Sequence, residues 1–285
     1  MPPLHGLIKS QPVFERNTLS DHFQRHLEGE IAVNESQRRE AHQLRYQVYC
    51  LERGYEDPEV FPDGMEKDEF DSHSIHSLVR HRSSGLVAGV VRLILPNPSK
   101  PDSLLPIELN CSHVFNQAVL SDFEFSKAAI AEVSRFAVSK RFIARAGHMR
   151  NISIRGIQGG NASTQDDVSQ YLPHISLGLI AMLFVTSIHH GITHWYAAME
   201  PALSRLLRSS GVEFTPIGSV VDYHGKRQPM IANVRDLLHR IYHKRYEFFQ
   251  LIERLGGVPS DFAAGLTYPT QIFNSRQNGY LISNR

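Results

Sequence analysis

The residue pattern of this chain predicts a mixed α+β domain built on a central sheet, with a helical tail appended at its C-terminal end. Three observations lead there. Ala41, Leu44, Val48 and Leu51 recur at helical spacing. Ser77–Arg82 and Leu86–Leu95 read as two strands turning at Ser84-Gly85. Further along, helix-like and strand-like segments alternate, giving the order helix, run of strands, helix, strand, helix, hairpin, helix.

The first helix begins near Asn34, where Gln37 three residues on completes a capping box, and Gly54 ends it. A loop rich in proline and acid runs from Glu56 to Asp71. The four prolines of Asn97–Pro106 require another loop. Ile130–Val138 reads as a strand, and a long basic stretch, Lys140 to Asp167, follows it. Pro173 opens an apolar helix whose most apolar part is Ile175–Ile188. Ile192–Met199 reads as a buried strand, and Ala202–Ser209 as a short helix begun by Pro201 and closed by Gly211. Phe214–Asp222 and Pro229–Val234 read as a hairpin around His224-Gly225. Val234–Leu255 reads as one last helix. These boundaries give a lead-in over 1–33, a main domain over 34–235, and a helix with an irregular tail over 236–285.

Composition narrows the class. The chain has 285 residues, a formal net charge of +1 and 21% charged residues, as expected of an ordinary globular protein with no global basic surface for nucleic acid. Cys50 and Cys111 lie far apart and form no C-x-x-C or Cys/His ligand pattern, so neither a disulfide framework nor a metal site is expected. Met1 to Asn17 carries no apolar signal core, and the Ile175–Ile188 run falls short of the ~20 residues of a membrane span. A cytoplasmic protein without stable membrane insertion is the expectation.

Four clusters carry candidate chemistry. Arg45-Tyr46-Gln47-Val48-Tyr49 ends the first helix and is followed by Gly54-Tyr55-Glu56. Asp68-Glu69-Phe70-Asp71 places two aspartates three residues apart. Arg92 sits inside an apolar strand, where an unpaired charge is costly, so Asp68 or Asp71 is expected to partner it. In Glu132-Val133-Ser134-Arg135-Phe136, strand alternation puts Glu132 and Arg135 on opposite faces, and a bulge would bring them toward one site. Taken singly, each has a bland reading: a snorkelling arginine, an acidic turn, an ion pair.

The ordered set, Arg-x-x-Val-Tyr, Asp-x-x-Asp, an Arg-Leu strand and Glu-x-Ser-Arg-Phe, resembles the acyl-homoserine-lactone (autoinducer) synthases. It looks still closer to the N-acyl amino acid synthases and to the acyltransferases of exosortase (PEP-CTERM) systems. The resemblance spans roughly 34 to 234 and implies a GNAT-like mixed central sheet with flanking helices. Two splayed strands, here Ile130–Val138 and Ile192–Met199, would hold the thioester arm. Tyr55 stands where the lactone synthases carry Trp, and the Lys140–Asp167 stretch is long for them. Both departures favour an amino acid as acceptor. Arg155-Gly156-Ile157-Gln158-Gly159-Gly160 has the wrong glycine spacing for the GNAT pyrophosphate loop, which favours an acyl carrier protein over coenzyme A.

The resemblance implies a fatty N-acyltransferase with no bound cofactor, whose donor is the phosphopantetheine thioester of an acyl carrier protein. Glu132 is then the base for an attacking amine, or it merely pairs with Arg135. The backbone N–H groups of Phe136 and Ala137 would stabilise the oxyanion. Arg135 would order Glu132 or hold the acceptor's carboxylate. Arg45, Tyr55, Asp68, Asp71 and Arg92 would wall the acceptor pocket. Lys140, Arg141, Arg145 and Arg150 would receive the acidic carrier protein. Leu177, Ile180 and Phe184 would line an acyl tunnel or simply pack the core. The alternatives are a lactone synthase using S-adenosylmethionine, an acetyl-coenzyme A-dependent GNAT acetyltransferase, and a non-catalytic acyl-binding or regulatory protein on the same fold.

Overall fold

The structure, a computed structural model, describes residues 19–142 and 171–262. Helix α1 (Leu19–His26) leads into strand β1 (Leu27–Ile31), and α2 (Glu35–Arg45) continues as a π-helical stretch over Tyr46–Glu52. Strands β2 (Ser74–His81) and β3 (Val87–Ile94) form a hairpin. Short helices α3 (Pro106–Cys111) and α4 (Gln117–Leu120) precede β4 (Ile130–Val138). After α5 (Tyr171–His189) come β5 (His194–Met199) and α6 (Pro201–Ser209). Short strands β6 (Thr215–Pro216) and β7 (Val221–Asp222), strand β8 (Lys226–Asn233), α7 (Val234–Lys244) and α8 (Tyr246–Arg254) complete the described chain.

Among the described residues the strands form one sheet in the order β1-β2-β3-β4-β5-β8-β6, with β7 also on β8. Neighbours are antiparallel except β4 and β5, which run parallel. That parallel pair is joined only at Ile130–His194, Ala131–Trp195 and Glu132–Tyr196. Beyond Glu132 the two strands part, so among the described residues Val133–Val138 has no partner on its β5 side. These are the two splayed strands expected from the sequence, and the fold is the expected GNAT-like α+β arrangement.

Each face of the sheet has its own cover. Helix α5 lies on one face, where Ile175, Leu179, Ile180 and Phe184 pack with Val91, Leu93, Ala131 and Trp195 in the main core. It runs for 19 residues, longer than the apolar stretch suggests. By length and composition it would suit a membrane span, but 61% of its Leu172–His189 window is buried. Gly178 lets α1 approach, because the ring of Phe23 occupies the space a Cβ would need. On the other face, Ala41 and Leu44 of α2 and Val48 of its π-helical continuation cover Leu78, Val90 and Ala137. Leu105, Ile107 and Cys111 cover Ile94, Ile130, Tyr196 and Ile231.

Several sequence expectations need correction. The supposed lead-in contains α1 and β1, and β1 pairs with β2 from Leu27–His81 to Ile31–Ser77. The supposed C-terminal appendage is part of the main core: Leu237, Leu238, Ile241, Phe248 and Ile252 are all buried in it. The last helix is two helices, because Arg245 leaves helical conformation at φ −146° and ψ 61°. The hairpin near His224-Gly225 has a short first arm, Val221–Asp222, and a longer second arm that begins at Lys226.

Candidate functional site

Three cross-strand rows build the site on the α2 face. Leu78, Val90 and Ala137 form an apolar row under α2. The next row is polar: His76 faces Arg92, and Arg92 faces Ser134. The third is Ile94, Glu132 and Tyr196, one carboxyl group between an isoleucine and a tyrosine ring. The polar row thus runs between two hydrophobic clusters on one side of the sheet.

A bulge in β4 adds Arg135 to this row. Val90 pairs with Ala137 and Arg92 with Ser134, so three steps along β4 match two along β3. Arg135 takes φ +50° there. In regular alternation Arg135 would face the main core with Val133. The extra residue instead leaves Ser134 and Arg135 on the same face and returns Phe136 to the main core. The bulge considered from the sequence is present, but it does not turn Arg135 onto Glu132.

Arg135 turns to the acids of the loop after α2. Its Nη2 lies 2.9 Å from Glu66, 3.3 Å from Glu56 and 3.5 Å from Asp68. The guanidinium also sits over the ring of Tyr49, 5.2 Å from its centroid, and the Tyr49 hydroxyl donates to the carbonyl of Phe136. Arg45, which helical spacing placed near an apolar edge, is fully buried. It donates from Nε to Glu66 at 2.5 Å, and from Nη1 to Asp71 at 2.6 Å and His76 at 2.9 Å. Arg92 is partnered as expected: Nη1 donates to Asp68 at 2.6 Å and to Asp71 at 2.7 Å, while Nε donates to Ser134 at 3.0 Å.

The spacing of the two aspartates has a local cause. Asp68 caps a short 3-10 turn over Glu69–His73 by accepting from the Phe70 N–H, and Asp71 accepts from the Asp68 N–H with Oδ2. This reciprocal cap needs residues three apart, and it leaves Asp71 Oδ1 to accept from both arginines.

Charge fixes the protonation states. Burial alone would raise Glu66, but hydrogen bonds and charge from Arg45 and Arg135 outweigh it and hold the carboxyl at about 2. Asp71 is likewise held far below the carboxylate range, against its burial, by His76, Arg45 and Arg92. Burial and the Arg45 charge lower His42 to about 4. His42, Asp71 and His76 come within 4.8 Å of one another, but Arg45 Nη1 already stands between Asp71 and His76. A metal cation there would face a guanidinium, so the trio does not suit one.

A carboxylate held below its ordinary value stabilises the native state above that value, and the contribution is lost as pH falls toward the depressed one. For Glu66 the window runs from 4.5 down to about 2. The melting temperature of the wild type should therefore fall steeply across it. Glu66→Gln should melt lower at neutral pH and change less across the same window. Parallel curves for the two proteins would show that Glu66 carries no such linkage.

Glu132 is different. It is 3% exposed, and Oε2 accepts the Ile107 N–H at 2.8 Å. Burial raises it to about 7, against the Ile107 hydrogen bond and the charges of Arg92 and Arg135. It is not salt-bridged to Arg135, which corrects the bland alternative. It sits at the vertex of the wedge, in the last residue pair joining β4 to β5.

The other candidates fall as follows. The Ser139 N–H bonds to the Ala88 carbonyl on β3. Alternation therefore turns the Ala137 N–H toward β3, and the Phe136 and Val138 N–H groups toward the wedge. Ala137 is thus replaced by Val138 as the companion of Phe136. Tyr55 stands apart from the arginine network; its hydroxyl lies 3.1 Å from Glu200, across the mouth of the wedge. Lys140 and Arg141 are exposed just past β4, while Arg145 and Arg150 lie outside the described residues. Ile180 and Phe184 are buried in the main core, and Leu177 is half-buried at its edge. Glu66, His42 and His76 were not singled out from the sequence, and Tyr49 was noted only as the end of the Arg45–Tyr49 cluster. Glu66 bridges two arginines, yet it lies in an acidic loop where no periodicity marks it.

An open mixed sheet whose parallel strands part beside a bulge defines a GNAT-like fold. A model of the acetyltransferase (GNAT) domain matches residues 44–152. TofI, solved in a ternary complex with an inhibitor and MTA, superimposes with a TM-score of 0.51 at 16% identity, over 75% of this chain and 96% of TofI. FeeM, an N-acyl amino acid synthase from uncultured soil microbes, gives 0.48 at 13% identity, over 77% and 97% of the two chains. The AHL synthase LasI gives 0.47 at 17% identity, over 72% and 88%. No curated protein matches this chain in sequence.

Proposed function

We propose that the chain is an N-acyltransferase moving a fatty acyl group from the phosphopantetheine thioester of an acyl carrier protein to the amine of an amino acid. The observation that carries this reading is the buried Glu132 carboxyl, raised to about 7 at the vertex of the wedge. A base for an amine of pKa ~8 needs no greater strength at neutral pH. The amine nitrogen attacks the thioester carbon, and its proton passes to Glu132 directly or through one water. The developing oxyanion is met by the Phe136 and Val138 N–H groups. The C–S bond then breaks, the pantetheine thiolate leaves and the proton returns to it.

The charge network supports an amine acceptor. Three guanidinium groups, of Arg45, Arg92 and Arg135, face four carboxylates, of Glu56, Glu66, Asp68 and Asp71. With His42 neutral, carboxylates outnumber guanidinium groups and attract an ammonium. Each of these guanidinium groups already pairs with at least one carboxylate, and Arg135 acts here by ordering the acids at the wedge. The acyl chain runs past the half-exposed edge of Leu177 toward Ile180 and Phe184.

Mass spectrometry after incubation with acyl carrier protein thioesters and mixed amino acids tests the reading. Free N-acyl amino acids are expected. A lactone formed only with S-adenosylmethionine would move the assignment to the lactone synthases, and no acyl product from any donor would remove it. For the carrier protein, Arg141→Glu should raise KM for the carrier-bound donor several-fold and leave a small pantetheine thioester unchanged, because an acidic carrier is steered by a basic rim. Equal effects on both donors would place Arg141 outside carrier docking.

A further inference from the structure

The oxyanion donors proposed at Phe136 and Val138 follow directly on a strained residue. Arg135 takes φ +50° in the bulge, a left-handed conformation uncommon for any residue but glycine, and such a residue persists only where its surroundings fix it. Beyond Glu132 no strand among the described residues supports β4 on its β5 side. The peptide groups around the bulge therefore have to be held from another direction.

Tyr49 is attached to that stretch at three points. Its ring lies under the Arg135 guanidinium, whose Cζ is 5.2 Å from the ring centroid. Its hydroxyl donates to the Phe136 carbonyl at 3.4 Å. Its own carbonyl accepts from the N–H groups of Tyr55 at 2.8 Å and of Glu56 at 3.3 Å, and the Glu56 carboxylate in turn lies 3.3 Å from Arg135 Nη2. In chain order the Phe136 N–H falls between the two groups that the Tyr49 side chain touches.

The hydroxyl is the part of Tyr49 that packing does not require. Phenylalanine would fill the same place against the cluster of Leu78, Val90 and Ala137 and keep the ring under Arg135. Burial raises the phenol above its ordinary value, against the charges of Arg135, Arg227 and Arg45, so it keeps its proton and remains a donor throughout the neutral range. The bond is long for O–H···O, and its effect is on direction. The Phe136 carbonyl and the Ala137 N–H belong to one planar peptide, and Ala137 pairs with Val90 on β3. Tyr49 on one side and β3 on the other thus hold that peptide at both ends.

We propose that Tyr49 is the positioning residue of the oxyanion site, its hydroxyl fixing the Phe136–Ala137 peptide so that the Phe136 and Val138 N–H groups stay aimed at the thioester oxygen. This rests on the N-acyltransferase reading and deepens it by naming what holds the donors in place. Removing an oxyanion donor outright costs about 100- to 1,000-fold in kcat; loosening two of them by loss of one hydroxyl should cost about tenfold.

The experiment compares Tyr49→Phe with the wild type, using one acyl-pantetheine donor and an amino acid that the wild type acylates. The expected result is a kcat lower by about tenfold, with KM for donor and acceptor unchanged, a native melting temperature, and the pH inflection of kcat where the wild type has it. Unchanged kcat would overturn the proposal and leave the N-acyltransferase reading standing. A rise in acceptor KM alone would make Tyr49 an acceptor contact, and a displaced inflection would mean that it acts on Glu132; either result overturns the proposal. If no donor supports transfer, the N-acyltransferase reading fails, and amide hydrogen exchange still decides whether the hydroxyl holds the bulge. Faster exchange at Ala137 in Tyr49→Phe, with Leu78 and Val90 unchanged, supports the hold, and equal exchange at Ala137 removes it.

Discussion

Glu132→Gln should lower kcat by roughly 100- to 10,000-fold, the usual worth of general acid–base assistance, while the protein melts no lower than the wild type does. The amide can still accept the Ile107 N–H, so the contact seen at 2.8 Å has a substitute. Stability should even favour the variant at alkaline pH. A carboxyl raised by burial stabilises the fold while protonated, and loses that advantage as pH rises through its native value of about 7. Ionised Glu132 then carries a desolvation penalty among Ile94, Tyr196 and Ile107 that Gln avoids. Wild-type kcat should rise through the same pH as the base becomes available, and the variant should lose that inflection while keeping any due to the amine. Near wild-type kcat in a natively melting Glu132→Gln protein would end the base assignment.

How much of this was legible depended on whether local rules decide the feature. The capping box at Asn34 and Gln37 is present with both its hydrogen bonds, because it is set by residues three apart. The boundaries of β4 were legible because Ile130 to Val138 carry apolar residues, Val133 and Phe136 among them, in a strand-like run. Arg92 announced a partner because an apolar strand cannot hold a lone guanidinium. The burial of Arg45 was not legible: helical periodicity placed it near the apolar face, but only the folded loop bringing Glu66 and Asp71 made full burial tolerable. Glu66 itself is one acid among several in a loop, and its role depends on two arginines 21 and 69 residues away. The break at Arg245 was missed because neither Pro nor Gly marks it, and the strand β1 because Leu27-Glu28-Gly29-Glu30-Ile31 is short and charged.

Asp71→Asn should be the most damaging single change in the charge network, costing about 3–5 kcal/mol of stability. Asp71 Oδ1 is shared by Arg45 and Arg92 at 2.6 and 2.7 Å, and both arginine side chains are essentially buried. Asparagine can keep one acceptor near the turn, but it cannot balance two guanidinium groups. What remains is Glu66 for Arg45 and Asp68 for Arg92, with the two cations repelling across the vacated charge. The loss should shrink when one cation is removed as well. In an Arg92→Met background, Asp71→Asn should cost markedly less, since the methionine fits an apolar strand and a single guanidinium remains beside the site. Chemical denaturation of the two single variants and the double variant gives the coupling directly. A cost for Asp71→Asn below about 1 kcal/mol, the range of exposed pairs, or strict additivity in the cycle, would mean that the arginines are held by their other partners. Given that Asp71 is the acceptor common to both, a coupling above that range is the expected result.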